Sequence, residues 1–173
     1  MRFPRLATAV LACALAAASG CDSDLGAGSL QEASGSSGPR GTKSATVTKN
    51  TDGDTLRLSG IGRVRLIGVD TPEVYGGAEC YGRQASAFTK RVLPPGTKVS
   101  YRLGVEPRDR YGRALGYLWL RDGRFFNLML VERGYAQVLT VPPNVDYADR
   151  FLKAQRRARQ AERGLWSPAT CAG

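Results

Sequence analysis

Apolar and polar positions alternate along residues 44–50, SATVTKN, the period-two pattern of a strand with one face turned inward. A turn, DGDT at 52–55, leads into a second apolar run at 55–58, and SGIG leads into a third at 63–69. An acidic residue followed by glycine between two short apolar runs is a hairpin signal, so these three runs predict a three-stranded meander. The period then lengthens. Ala85, Phe88, Val92 and Leu93 recur at helical spacing over 82–93, and Pro94-Pro95-Gly96 stops the run. Two more strands are expected at 98–103 and 114–120, with GVEPRDRYGR as their connection. A short helix over 126–133 closes at Gly134. A longer one over 147–161 is apolar at Phe151, Ala154 and Ala158 and basic almost everywhere else.

Five strands with helices after the third and the fifth, and a last helix at the end, make an α+β, mainly β chain whose simplest closure is a five-stranded OB-type barrel with three helices. Trp166, beyond the last helix, is expected in the core. All of this fits within 44–173, about 130 residues, which suffices for one hydrophobic core.

The residues before 44 follow another pattern. Arg2 and Arg5 precede an apolar run at 6–18, and Ser19-Gly20-Cys21 follows. A basic start, a short apolar stretch and small residues describe a signal peptide over 1–20, too short to span a bilayer; the alternative, a buried helix, would need an amphipathic period that is absent. The sequence AASGC resembles the lipobox of bacterial lipoproteins, which implies a lipid-modified Cys21 as the first mature residue and an extracytoplasmic protein tied to a membrane through that anchor alone. Leucine is more usual where Ala18 stands, and cleavage releasing a soluble form is the alternative. Residues 22–43, rich in glycine and serine, cannot bury enough apolar surface to offset the entropy of ordering and are expected to be a flexible linker.

Charge and cysteine content narrow the chemistry. Twenty-five Lys and Arg against 15 Asp and Glu give a formal charge of +10, which suits a polyanionic partner: nucleic acid, anionic lipid or wall polymer. No histidine is present, which removes nucleophilic chemistry dependent on an imidazole base. With Cys13 lost with the signal and Cys21 lipidated, Cys80 and Cys171 remain as an even pair, read as a disulfide, with two buried thiols as the alternative.

One strand of the meander carries an odd cargo. RLIGVDTPE at 65–73 places Arg65 within an apolar run that ends on Asp70 and Glu73. Phosphodiester hydrolysis needs a positioned water and positive charge around the phosphoryl oxygens, and a hard cation needs several oxygen ligands. Asp54 at a hairpin and Asp70 at a strand end can both supply them.

Taken in order, DGDT, RLIGVDTPE, YGRQASAFTK at 81–90, DRYGRALGY at 109–117 and GLW at 164–166 resemble the staphylococcal nuclease, or thermonuclease, family from residue 44 to residue 166. The resemblance implies Ca²⁺ held by Asp54, Asp70 and the backbone carbonyl of Thr71, with Asp52 in an outer shell. It implies that Glu73 orients or deprotonates the attacking water, that Arg65 and Arg113 grip the scissile phosphate, and that Arg110 and Tyr111 contact a terminal phosphate. Arginine forks match phosphate bidentately, which lysine cannot do. Arg110 stands where the family has lysine.

Two departures affect the substrate side. The loop at 74–80, VYGGAEC, is shorter than in the staphylococcal enzyme. The tyrosines that flank the nucleotide there are replaced in VLTVPPNVDY by Thr140 and Pro142, with Tyr147 only later, so base stacking is not expected to match. The expected activity is a calcium-dependent nuclease cleaving DNA and RNA, single strands best, working as a monomer without an obligate protein partner, and the family resemblance implies that it leaves 3′-phosphates. A silent OB-type binding module and a wall-polymer or lipid-surface binder are the competing readings. The acid-arginine cluster disfavours the first and goes unexplained by the second. The cations Arg150, Lys153, Arg156, Arg157 and Arg159 of the last helix are read as a solvated or membrane-facing surface, with a phosphate track as the alternative.

Overall fold

A computed structural model describes residues 38–171. The signal segment, Cys21 and the linker up to residue 37 lie outside the described residues. In chain order the elements are β1 (Lys43–Asn50), β2 (Thr55–Leu58), β3 (Gly62–Leu66), β4 (Gly68–Asp70), α1 (Gly82–Val92), β5 (Lys98–Arg108), β6 (Ala114–Leu120), α2 (Phe126–Glu132), β7 (Gln137–Leu139), α3 (Ala148–Gln160) and a 3-10 turn at Gly164–Trp166. Among the described residues no helix is long and apolar enough to cross a membrane.

Five strands close in the order β1-β2-β3-β6-β5, the mainly β barrel expected of an OB-type fold. Its one parallel contact, β3 beside β6 with Val64 opposite Ala114, is the step at which the chain has crossed over through α1 and β5. Alternate residues of the strands fill the interior: Val47, Leu56, Leu58, Val64, Leu66 and Leu118 are buried there. Phe88 of α1 stacks on Tyr135 at 4.3 Å between ring centroids and lies 6.2 Å from Phe126, which seats α1 against the segment containing α2.

Two boundaries and one burial differ from the sequence pattern, each for a local reason. The single strand expected at 63–69 breaks at Gly68, whose φ is +80° and whose missing Cβ would lie 2.3 Å from the Phe151 ring of α3. The backbone freed by that break is satisfied by Asn127 of α2, whose side-chain amide donates to the Ile67 carbonyl at 2.9 Å, while the Ile67 N–H donates to Gly116. The short β4 then pairs antiparallel with β7 rather than with the barrel, Asp70 opposite Gln137. In the second case, residues 104–108, expected as loop, continue β5. The side chain of Asn144 accepts from the Glu106 N–H at 3.0 Å and donates to the Glu106 carbonyl at 2.9 Å, acting as the missing partner strand. The third is Trp166, which is only half-buried: it lies under the guanidinium of Arg159, 4.2 Å from the ring centroid, rather than in the core.

Cys80, just before α1, is joined to Cys171 in a disulfide with a Cα–Cα distance of 5.8 Å across 91 positions of sequence.

Candidate active site

The turn between β1 and β2 is built around one carboxylate. Asp52 Oδ1 accepts from the backbone N–H groups of Asp54 and Thr55, at 3.1 and 2.6 Å, so this residue shapes the turn. Gly53 has no room for a side chain, because a Cβ would lie 2.6 Å from Thr71 Oγ1. Its carbonyl accepts a 2.6 Å bond from Thr89 Oγ1 of α1. The turn is thereby pressed onto the segment that follows β4.

That pressure turns Asp54 inward. Its carboxylate is buried and accepts from the Thr71 N–H at 2.8 Å, Thr71 Oγ1 at 2.9 Å and Thr55 Oγ1 at 3.2 Å. Arg65 Nη1 meets the same carboxylate at 2.5 Å, while Arg65 Nη2 meets Asp70 Oδ1 at 2.6 Å. Nη1 also donates to the Val69 carbonyl at 3.0 Å. One guanidinium therefore pairs with two carboxylates from two different segments, the β1–β2 turn and the end of β4, which is why an apolar strand carries both signs of charge. Burial pushes the Asp54 carboxyl above its ordinary value. Arg65 and the bonds from Thr71 oppose that shift, and the charge of Asp52 adds to it.

Arg113 is held by a second turn. Asp109 accepts from Arg113 Nε at 2.6 Å and, through its other oxygen, from the N–H groups of Tyr111 and Arg113. Burial alone would raise the Asp109 carboxyl, but these bonds outweigh it and hold the group below its ordinary value. The same turn leaves Tyr111 exposed. Arg110 donates to its hydroxyl at 2.6 Å, and the guanidinium carbons of Arg110 and Arg113 lie 4.8 and 5.5 Å from its ring centroid.

Arg65 and Arg113 face one cleft of about 240 Å³. The same cleft has an aliphatic part lined by Leu115, Leu139, Val141 and Pro142. Tyr147 is not part of that lining; it packs on Tyr117 and Phe125 at 4.8 Å between centroids. Glu73 is exposed just past Pro72, and its carboxylate has no partner among the described residues. Gly82, at the start of α1, lies so close that a Cβ there would be 2.5 Å from the Glu73 carbonyl oxygen.

Among the described residues no three acidic or sulfur side chains converge as a metal cage. The donor set that does converge is all oxygen: the carboxylates of Asp54 and Asp70, bracketing Arg65, with Thr71 between them and Glu73 in sequence. Few protein ligands, hard donors and one half-exposed carboxylate fit a divalent cation that keeps much of its water. Asp52 Oδ1 is committed to its own turn.

Sequence reasoning did not single out Asn127, Thr89 or Glu79. Asn127 had one legible signal, a polar residue inside the apolar run FFNLMLV, and the other two had none.

Comparison with known proteins places this geometry. The sequence profile of the family described as staphylococcal nuclease homologues matches residues 63–168. The chain is similar to the thermonuclease of Staphylococcus intermedius, 39% identical over 130 residues that cover 72% of this chain and 76% of that protein. It is similar also to the thermonuclease of Staphylococcus hyicus, 38% identical over 122 residues covering 67% and 71%. Endonuclease YhcR of Bacillus subtilis (strain 168) is 32% identical over 152 residues, 80% of this chain and 12% of that much longer protein. With a closed mainly β barrel, two arginines on one cleft and these relatives, the chain belongs to the staphylococcal nuclease family.

Proposed function

We propose that this protein, a phosphodiester hydrolase by its family, is a calcium-dependent nuclease acting on DNA and RNA outside the cytoplasm. The observation that carries the reading is Arg65, locked between Asp54 and Asp70, with Arg113 lining the same cleft.

Asp54, Asp70 and the Thr71 carbonyl are the groups that would hold calcium, and the ion when bound supplies positive charge against the phosphoryl oxygens. The chain's own residues do the rest. Arg65 and Arg113 present planar forks to the phosphate, and both are oriented in advance, Arg65 by Asp54 and the Val69 carbonyl, Arg113 by Asp109. Such preorganisation places donors where charge develops without reordering them during the reaction. Glu73, exposed and unpaired, orients the attacking water. Arg110 and Tyr111 extend the phosphate contacts past the scissile bond. The aliphatic wall meets bases through shape and apolar contact, which does not discriminate sequence or sugar.

Location outside the cytoplasm is supported by the leader pattern at 1–21 and by the Cys80–Cys171 bridge, which suits an oxidising compartment. An anchor at Cys21 and a monomeric working form belong to the same proposal. The test is incubation of the mature protein with single-stranded DNA and with RNA, in Ca²⁺ or in chelator. Cleavage of both that stops in chelator is the expected result. Binding without cleavage in Ca²⁺ would replace the nuclease by a binding module.

A further inference from the structure

We infer that Glu79 is a positioning residue for Glu73, clasping its main chain from the far end of the loop and so fixing where the Glu73 carboxylate stands. The inference rests on the reading that Glu73 orients the attacking water.

After Pro72 the chain leaves the barrel and returns to α1 through a loop at 74–79, rich in glycine and largely exposed. A residue at the root of such a loop would ordinarily sweep a wide arc. Here Glu73 and Glu79 close it reciprocally. The Glu73 N–H donates to Glu79 Oε2 at 3.0 Å, and the Glu79 N–H donates to the Glu73 carbonyl at 2.9 Å. A carboxylate accepting from an amide makes one of the stronger hydrogen bonds, and with both bonds made the peptide units on either side of the Glu73 Cα are held.

Two neighbours fix Glu79 in turn, and one of them also presses on Glu73. Its carbonyl accepts from the Gly82 N–H at 3.0 Å, the first turn of α1. Cys80, next in sequence, is tied covalently to Cys171. Gly82 approaches the Glu73 carbonyl too closely for any side chain. Within the loop, Gly76 and Gly77 at φ +79° and +117° allow the reversal, and Tyr75 donates from its hydroxyl to the Thr51 carbonyl at 3.0 Å. That last bond joins the loop to the turn that carries Asp54. The water-orienting residue and the acidic pair are thus referred to one frame, and Glu79 is its exposed clasp.

Because the Glu79 side chain is exposed and engages the Glu73 N–H, while its bond to α1 is made by the backbone, removing that side chain should reach catalysis before stability. Glu79→Ala is expected to lower kcat about tenfold or more, since small misplacements of a reacting group are costly. KM and Tm should stay near wild type, because phosphate gripping and the core are untouched. Glu79→Gln keeps a carbonyl acceptor and should restore most of the turnover. In the wild-type protein the Glu73 amide should exchange hydrogen more slowly than its loop neighbours Val74 and Gly76. Wild-type kcat in Glu79→Ala, equal loss in the Ala and Gln variants, or a Glu73 amide exchanging as fast as Gly76 would each overturn the inference; the exchange measurement decides if the Ala variant does not fold. Glu73→Ala run alongside separates the two levels: if it keeps full turnover, the reading of Glu73 falls first, whatever Glu79 does.

Discussion

Replacing both cysteines, Cys80→Ser with Cys171→Ser, cuts a cross-link that spans 91 positions. In the chain-entropy account a closed loop of that length restricts the unfolded state by about 4.6 kcal/mol at 25 °C, an upper figure, and measured values cluster at about 2–4 kcal/mol. The folded side gives little of this back. Beyond the 3-10 turn the tail is held by few other contacts, chiefly Thr170 Oγ1 donating to Gly164 at 2.8 Å, and it can fray once untied. For a domain of about 130 residues the unfolding entropy is about 0.27 kcal/mol/K, so the expected loss corresponds to a Tm lower by about 7–15 °C. Urea titration of the oxidised wild type and the double variant measures it. The denaturant slope should rise in the variant, since an uncut unfolded chain exposes less surface than a free one. Reduced wild type should behave like the variant. A difference below about 1 kcal/mol, or no gain of two hydrogens in the intact mass on reduction, would refute the reasoning.

Arg113→Lys keeps the charge but loses the fork that both Asp109 and a phosphate engage, so turnover should fall about 100-fold or more with the fold intact; near-native kcat would remove Arg113 from the site. Asp54→Asn should abolish calcium-dependent cleavage while changing stability in chelator by no more than about 1 kcal/mol, because the Asn carbonyl can keep the Thr71 bonds, Arg65 retains Asp70, and the burial of an ionised carboxyl is relieved; a clear drop in Tm in chelator would make Asp54 a structural residue of the turn. Asp109 is held below its ordinary value of 3.8, so it stabilises the fold above that pH and the contribution is lost as pH falls through its lower folded value. The stability gap between wild type and Asp109→Asn should therefore be constant from pH 7 to 5 and close in stronger acid, and a gap that widens there contradicts the assignment. Val141→Tyr adds a ring to the aliphatic wall; base stacking is worth about 1–3 kcal/mol, so KM for single-stranded oligonucleotides should drop about fivefold or more at unchanged kcat, and an unchanged KM would show that no base lies against that wall.

Periodicity was sufficient to read the barrel and the three helices, because each strand that closes it and each helix that covers it carries its own apolar face. It failed where a partner lies far away in sequence. Residues 104–108 have no strand pattern and become strand because Asn144 supplies the pairing bonds. Gly68 looks like one more residue of an apolar run, and only the Phe151 ring shows why the strand must break there. β7 is three residues long and exists through β4. At the site, motif spacing identified the residue types and their order. The double engagement of Arg65, the anchoring of Arg113 and the clasp on Glu73 are properties of approach between segments, and no local pattern encodes them.

Helix α1 touches both acidic segments at once: Thr89 through the Gly53 carbonyl, and Gly82 against the main chain of Pro72 and Glu73. In mutational terms these positions form one coupled set. A side chain at Gly53 would have to push the turn off Thr71 and with it the carbonyl that Thr89 holds, so the costs of changing Gly53 and Thr89 should not add, and a double-mutant cycle between them should return a coupling energy of about 0.5 kcal/mol or more. A library that samples Gly53, Gly82 and Thr89 one at a time would overstate how many independent constraints the site imposes, since a helix that shifts to relieve one of them shifts for all three.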